Sequence, residues 1–443
     1  MPARFLQIHT LTSYPAVLLN RDDAGFAKQL PFGSAIRTRI SSQCLKRHWR
    51  TYDGEHALVS LGSASDLAIR SREIIERMIA PEIAKAHSQD VVEATVDWIK
   101  GAFFKAKKGN GNSDEDAEEE EGTSEQETDN KKSKQKQVVV LGPKEIIFIT
   151  KEALALANEL KTAKAISKPD KEGKKAMNAR LKGIKKLWSA ERLKNIGVLG
   201  LGAGLDAAVF GRMVTSDILA RCDAAVHVAH AFTVHGAQTE ADYFSAVDDL
   251  TSDDGELGAG HINSTDLTSG LYYSYVAIDV PLLVANLTGC DLRQDKDAWK
   301  KADRTLASQV VESLVHTIAT VSPGAKLGST APHSYAHLML VESGDAQPCT
   351  LANAFIEPLP TKGDLIGSSY EALAQELLDL DSNYPRGLKR AHLARGRQDS
   401  RYDRLLALKK TVKDGDRERV LADPGERQDI VGLAAWAAQQ VAV

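Results

Sequence analysis

Cysteine is scarce and scattered in this 443-residue chain. Its four residues, Cys44, Cys222, Cys290 and Cys349, form no Cys-x-x-Cys pair, which excludes a zinc ribbon or a disulfide framework and suits a reducing compartment. No run approaches the ~18 apolar residues of a membrane span, and Met1 to His9 lacks the apolar core of a secretory signal. A water-soluble, cytoplasmic protein is expected. Catalytic signatures are missing too: there is no G-x-x-x-x-G-K-[ST] loop, no H-E-x-x-H, no G-x-S-x-G and no H-x-E with C-x-x-C. The glycines of Gly197–Asp206 resemble a dinucleotide loop, but the third glycine counted from Gly200 would have to be Leu205. His227, His230 and His235 are the only local histidine cluster. On one strand His230 faces away from the other two, so they do not converge on a metal. No cofactor, no metal and no enzymatic activity are expected.

Charge is present but unevenly placed. The net of −4 hides ten acids and four lysines between Gly109 and Lys136, a local −6 that leaves the rest of the chain at +2. Residues 21 to 50 carry seven Arg or Lys against two Asp. A ligand feels such local fields and not the chain average.

Along the chain, Phe5–Thr12 alternates as a first core strand and is followed by a long connection over 13–35. Ile36–Ile40 is a second strand that runs into Ser41-Ser42, a helix N-cap pair. From Asp66 to Phe104 the pattern turns helical, with one run through Ile74, Ile75, Met78 and Ile79 that Pro81 ends, and a second through Val91 to Ile99. Residues 109–137 are acidic, low in complexity and predicted to be a disordered loop. Helical patterns return at Thr150–Ala165 and at Ala176–Leu193, the latter coated with lysines that include Lys185 and Lys186. Residues 61–196 therefore read as a helical insertion. Ala224–His235 and Leu271–Val280 read as strands joined by a polar excursion with one apolar knot at Tyr243-Phe244, a hairpin arm. Then come a helix over Ala298–Val321, a strand over His337–Glu342, a possible sheet continuation at Ala352–Phe355, and helices at Tyr370–Leu380 and Asp429–Val441. The last two enclose a polar, arginine-rich stretch from Arg386 to Arg419. This order is an α+β plan, compatible with an RRM-like (ferredoxin-like) sheet carrying insertions.

The strongest local pattern lies between Arg37 and Arg50. At about 100° per residue, Gln43, Lys46, Arg47 and Arg50 fall on one side of a short helix, and Leu45, His48, Trp49 and Tyr52 on the other. The first turn adds free backbone N–H groups and the positive end of the helix dipole. Arg21, Lys28, Arg37 and Arg39 extend the cationic set, Ser41 and Ser42 add neutral donors, and Arg212-Met213 and Tyr243-Phe244 supply further candidates. Cations with a few flat or soft apolar side chains are the ingredients for holding a nucleic-acid single strand by its backbone. Met213 fits a core position equally well.

These residues also carry a family resemblance. Leu19-Asn20-Arg21-Asp22-Asp23, Phe32-Gly33, Arg39 to Arg47, Gly211 to Ser216, Tyr243 to Leu250, Thr268 to Tyr272, Pro323-Gly-Ala-Lys326 and Leu351 to Phe355 resemble the CasC family. CasC is the repeated backbone subunit of the type I-E CRISPR surveillance complex, Cascade. The resemblance implies a non-catalytic protein with an RRM-like palm, helical fingers and a β-hairpin thumb. The palm would comprise 1–60, 197–236 and 272–443, the fingers 61–196 and the thumb 237–271. It implies CRISPR RNA as ligand, further copies head to tail, other Cascade subunits, and target DNA paired to the guide. Carried over, Arg21, Lys28, Arg39, Ser41, Gln43, Lys46 and Arg50 would hold the RNA backbone. Arg212 would be a further RNA-binding residue, Met213 would lie against displaced nucleotides, and Phe244 and Ser245 on the thumb would wedge where a base is flipped out. Lys185 and Lys186 would contact target DNA. The acidic segment and the long arm loop at 251–261 depart from the family pattern. An RNA endonuclease of the same fold, with His48 or His230 as general base, and an interaction scaffold are the alternatives.

Overall fold

The computed structural model describes residues 2–61, 67–104, 139–162, 204–212, 222–246, 261–396, 400–415 and 417–442. They divide into two units. The first comprises Met1–Ala57, His227–Ile278 and Ser308–Val443, the second Leu58–Val226 and Asp279–Ala307. The segment Asp279–Ala307, read from chain order as part of the palm, falls in the second unit, where Val280–Thr288 contacts Leu205–Phe210.

The first unit is built on one large sheet. Strand β1 (Phe5–Val17) runs antiparallel to Leu338–Gly344, with Phe5 opposite Gly344 and Leu11 opposite Leu338. Leu338–Gly344 pairs in turn with Lys389–Ala394, which meets the short Glu426–Arg427 in parallel. On its other side β1 neighbours the long strand His261–Asp279, followed by Ala231–Thr233, β3 (Ala35–Ile40) and, at the edge, β2 (Gln29–Phe32). Both faces of β1 and of Leu338–Gly344 are buried, so these strands read as apolar runs with little alternation. Helix Leu365–Asn383 brings Tyr370, Leu373 and Leu377 against Leu11, Leu338, Leu340 and Tyr273, and Ile430–Ala442 also contacts Leu338–Gly344. Gly33 makes the β2–β3 turn at φ +62°, where a Cβ would fall 1.5 Å from the Ile356 carbonyl oxygen. Only glycine fits there. The α+β class expected from the element order is what the chain adopts.

Several local expectations are corrected. Ala224–His235 is not one strand but two short ones, Val226–Val228 and Ala231–Thr233, interrupted at Ala229-His230. Ala352–Phe355 is a 3-10 turn that buries Phe355 and adds nothing to the sheet. Ala298–Val321 splits into Ala298–Lys301 and Thr305–Thr320. The polar stretch from Arg386 to Arg419 holds a sheet strand (Lys389–Ala394), a helix (Ser400–Leu406) and the hairpin Lys410–Asp414/Arg417–Leu421.

Two arginines of that stretch, Arg386 and Arg390, are spent inside the unit. Arg390 Nε donates to Glu342 Oε1 at 2.7 Å, and its two terminal nitrogens grip Asp381 at 2.7 and 2.8 Å. The His9 ring bonds Glu342 at 3.3 Å, and Arg386 lies 3.5 Å from the same carboxylate. Burial alone would raise the Glu342 pKa. The His9 hydrogen bond and the charges of Arg390 and Arg386 overcome it and hold the carboxyl down at about 2.

In the second unit, Ile74, Ile75, Ile79 and Ile83 pack with Val91, Val92, Ile99, Ile149 and Leu156. Pro81 does not end the first helical run. It occupies the first turn of Ala80–Ala84, where its missing N–H costs nothing. The preceding Ile75–Ile79 is a π turn, whose extra residue rotates the phase and leaves Met78 exposed. Helices Gln89–Phe104 and Pro143–Thr162 complete this core. The disordered-loop expectation for 109–137 and the basic helix with Lys185 and Lys186 lie outside the described residues. Among the described residues no helix is long and apolar enough to cross a membrane.

Candidate nucleic-acid interface

Helix α1 (Ser42–Thr51) forms where the sequence places it. Ser41, extended at φ −68°, accepts the Cys44 N–H on its hydroxyl oxygen, and Leu45 and Trp49 face the core. Gln43 and Arg47 are exposed, and Lys46 and Arg50 are half-buried beside them. Ser41→Ala leaves that N–H without its acceptor and is expected to cost about 1 kcal/mol. The thermal unfolding midpoint reads this loss, and Ser41→Asp restores it.

The preceding connection pins this helix. Asn20 accepts the Ser41 N–H on its side chain (2.8 Å) and the Lys28 N–H on its carbonyl (2.9 Å). Asp22 closes the intervening loop by accepting the Phe26 N–H at 2.9 Å and donating its own to the Phe26 carbonyl. The Asn-Arg-Asp-Asp run is therefore a clamp that holds Lys28 beside α1, with Arg21 exposed on the loop. Phe26 is 55% exposed, an aromatic face two residues from Lys28 that fits base stacking.

On the other flank, the Gly324 N–H donates to His48 Nε2 (3.4 Å), the Ala325 N–H to the Leu18 carbonyl, and Lys326 to the Thr265 hydroxyl at 2.6 Å. The Pro323–Lys326 segment thus ties α1 to the base of the hairpin. His48 Nδ1 lies 2.8 Å from the Cys44 carbonyl. Both ring nitrogens of His48 are engaged by backbone.

Lys28, Arg39 and Lys46 converge on His230, which the sequence suggests only as a metal ligand or a general base. The strand break at Ala229-His230 delivers the ring to the start of α1. Its Nδ1 accepts the Ser42 N–H at 3.2 Å, and an Arg39 guanidinium nitrogen lies 3.5 Å away. Burial, then Arg39, Lys28 and Lys46, lower the His230 pKa, so the ring itself reports a positive field. His235 is a core residue whose Nδ1 bonds the Gly236 carbonyl, and His227 is exposed. Among the described residues no three His, Cys, Asp or Glu side chains are placed to hold a metal ion.

Other predicted positions go elsewhere. Arg37, 0% exposed, turns into the fold and donates to the carbonyls of Phe32, Thr233 and Phe355. Arg37 and Arg39 share parity on β3, yet Arg37 is fully buried and Arg39 only partly so. Ser41, 6% exposed, caps α1 with its hydroxyl. Arg212, 4% exposed, belongs to the second unit, where it forms a two-pronged ion pair with the equally buried Glu145 (2.9 Å on one prong). That guanidinium is committed to the fold of the second unit. Phe244 and Ser245 lie on the hairpin strand Thr239–Ala246, opposite Asn263 and Ile262. Met213, Lys185 and Lys186 lie outside the described residues.

A family model described as CT1975-like protein matches residues 6–414. No curated protein matches. Among solved structures, a chain of a "CRISPR RNA-guided surveillance complex, pre-nicking" is 24% identical, covering 98% of this chain and 100% of its own, with a TM-score of 0.66. A chain of a "CRISPR RNA-guided surveillance complex" is 21% identical over 98% of this chain and 99% of its own, with a TM-score of 0.59. At these identities the likeness establishes a shared fold along nearly the whole chain.

Proposed function

The chain belongs to the CT1975-like protein family, and from that premise we propose that it is a backbone subunit of a CRISPR RNA-guided surveillance complex, one that holds guide RNA by its sugar-phosphate backbone. The observation that carries the reading is the convergence of Lys28, Arg39 and Lys46 on His230 at the N-terminal end of α1. Point charges, backbone N–H groups and a ring donor bind phosphate without reading bases. A subunit whose guide changes needs such a grip, because base pairing then reads the target.

In this reading the complex is of type I-E, the sheet serves as an RRM-like palm, and copies stack head to tail along the RNA in the cytoplasm. The hairpin Thr239–Ala246/His261–Asp279 reaches the next copy with Phe244 and Ser245, while Lys185 and Lys186 face target DNA. The subunit is non-catalytic. Support comes from the histidines: His48 is bonded to backbone on both nitrogens, and His230 accepts on Nδ1, which places its proton on the other nitrogen. Neither presents a free basic nitrogen for RNA cleavage.

Purification from the native host should yield a multi-copy assembly containing RNA of uniform length. Protein free of RNA, or site-specific cleavage of repeat RNA that is lost in His48→Ala or His230→Ala, would overturn the proposal.

A further inference from the structure

We propose that His230 is itself a phosphate-binding residue of this surface, and that RNA binding charges it, so that affinity rises as pH falls. The inference rests on the RNA-binding reading and adds a proton to it.

The ring is oriented before any ligand arrives. Ser42 donates its N–H to Nδ1 at 3.2 Å, so in the neutral ring the proton sits on Nε2, which is left as the donor. His230 is exposed. The groups that act on it come from three elements: Lys28 from the connection after β1, Arg39 from β3, and Lys46 together with the Ser42 N–H from α1. Partial desolvation and these three cations favour the neutral imidazole in the free protein and lower its pKa from the ordinary histidine value.

A phosphate seated among Lys28, Arg39 and Lys46 reverses the sign of that field. Repulsion by the cations is cancelled and an anion stands next to the ring, so one proton is taken up from solvent at Nδ1. Nδ1 then ceases to be an acceptor, and the Ser42 N–H, the first of the helix, is released to the same phosphate. Protonation therefore adds one charge-assisted contact and frees a second donor.

The sign follows from linkage. Binding takes up a proton between the lower pKa of the free protein and the higher pKa of the complex, so affinity falls as pH rises through that window, by at most about tenfold per pH unit. Above the window a neutral Nε2–H donor remains. The test uses the full-length protein and a fluorescent oligouridylate at fixed ionic strength, from about pH 5.5 to 8. Wild type should bind more weakly with rising pH, with a salt slope steeper by about 0.7 at the acid end. His230→Gln, whose amide still donates, should match wild type at the alkaline end and show no pH slope. His230→Ala should bind more weakly throughout. A pH slope retained in His230→Gln, or absent from wild type, overturns the inference while leaving RNA binding intact. Wild type that binds no RNA at any pH removes both the inference and the reading beneath it.

Discussion

Alanine at both Lys46 and Arg50 is expected to lower affinity for single-stranded RNA on the order of a hundredfold, equally for every base sequence. The two side chains stand one turn apart on α1, beside exposed Gln43 and opposite buried Leu45 and Trp49. In the proposed RNA-binding role each supplies a cation to a phosphate, and a charge-assisted hydrogen bond contributes about 1.5 kcal/mol net at the low end of its range, so two remove about 3 kcal/mol. Losing two phosphate contacts should also flatten the dependence of log affinity on log salt by about 1.4. Because the contacts are made to backbone and not to bases, oligomers of different composition should weaken together. Fluorescence anisotropy across a salt series measures both effects, and circular dichroism checks that α1 still forms. Unchanged affinity and slope would remove α1 from the interface.

The second large effect concerns the interior of the first unit. Arg390→Ala leaves Glu342 and Asp381 without their principal cation, and breaking a buried pair on one side costs about 3–5 kcal/mol. Glu342 is fully buried between His9 and Arg390. Arg386, 3.5 Å from the carboxylate, cannot reproduce the grip. Urea unfolding should show the loss, and adding Glu342→Gln to Arg390→Ala should recover part of it, since the orphaned charge is then gone. Acid tests the same group. The folded-state pKa of Glu342 is depressed to about 2 from 4.5, so its contribution is complete above pH 4.5 and is lost as pH falls toward 2. Glu342→Gln should lack that acid-dependent component. Equal stability of Arg390→Ala and wild type would show that the network is unnecessary to the fold.

These two expectations differ in how far the sequence anticipates them. Helix α1 is local: its cap is Ser41, its apolar stripe recurs at helical spacing, and every residue needed to recognise it lies within a dozen positions. The same holds for the β1 pattern. Arg390 is the opposite case. As a sequence it belongs to a polar, arginine-rich run that reads as surface, and only Glu342 and Asp381, brought in from other elements, make it an interior strand residue.

Arginines of identical chemistry part company for the same reason. Arg37 and Arg39 are two residues apart on one strand, which alternation alone would put on the same face. The structure nevertheless buries Arg37 among the Phe32, Thr233 and Phe355 carbonyls and keeps Arg39 near His230. Arg212 sits in a turn that resembles a nucleic-acid contact until Glu145, 67 positions away, claims it. His230 was legible as a histidine on a strand. Its role depends on the break at Ala229-His230 and on α1 arriving from nearly two hundred residues upstream.

By itself the sequence determined the α+β class, the cationic helix with its cap, and the clustering of positive charge between residues 21 and 50, because periodicity, capping and local charge are short-range properties of a chain. Which cations face a ligand and which are consumed by buried carboxylates and carbonyls was decided only by tertiary structure. A guanidinium cannot remain buried unless partners are delivered to it, and those partners come from strands and helices far away in sequence.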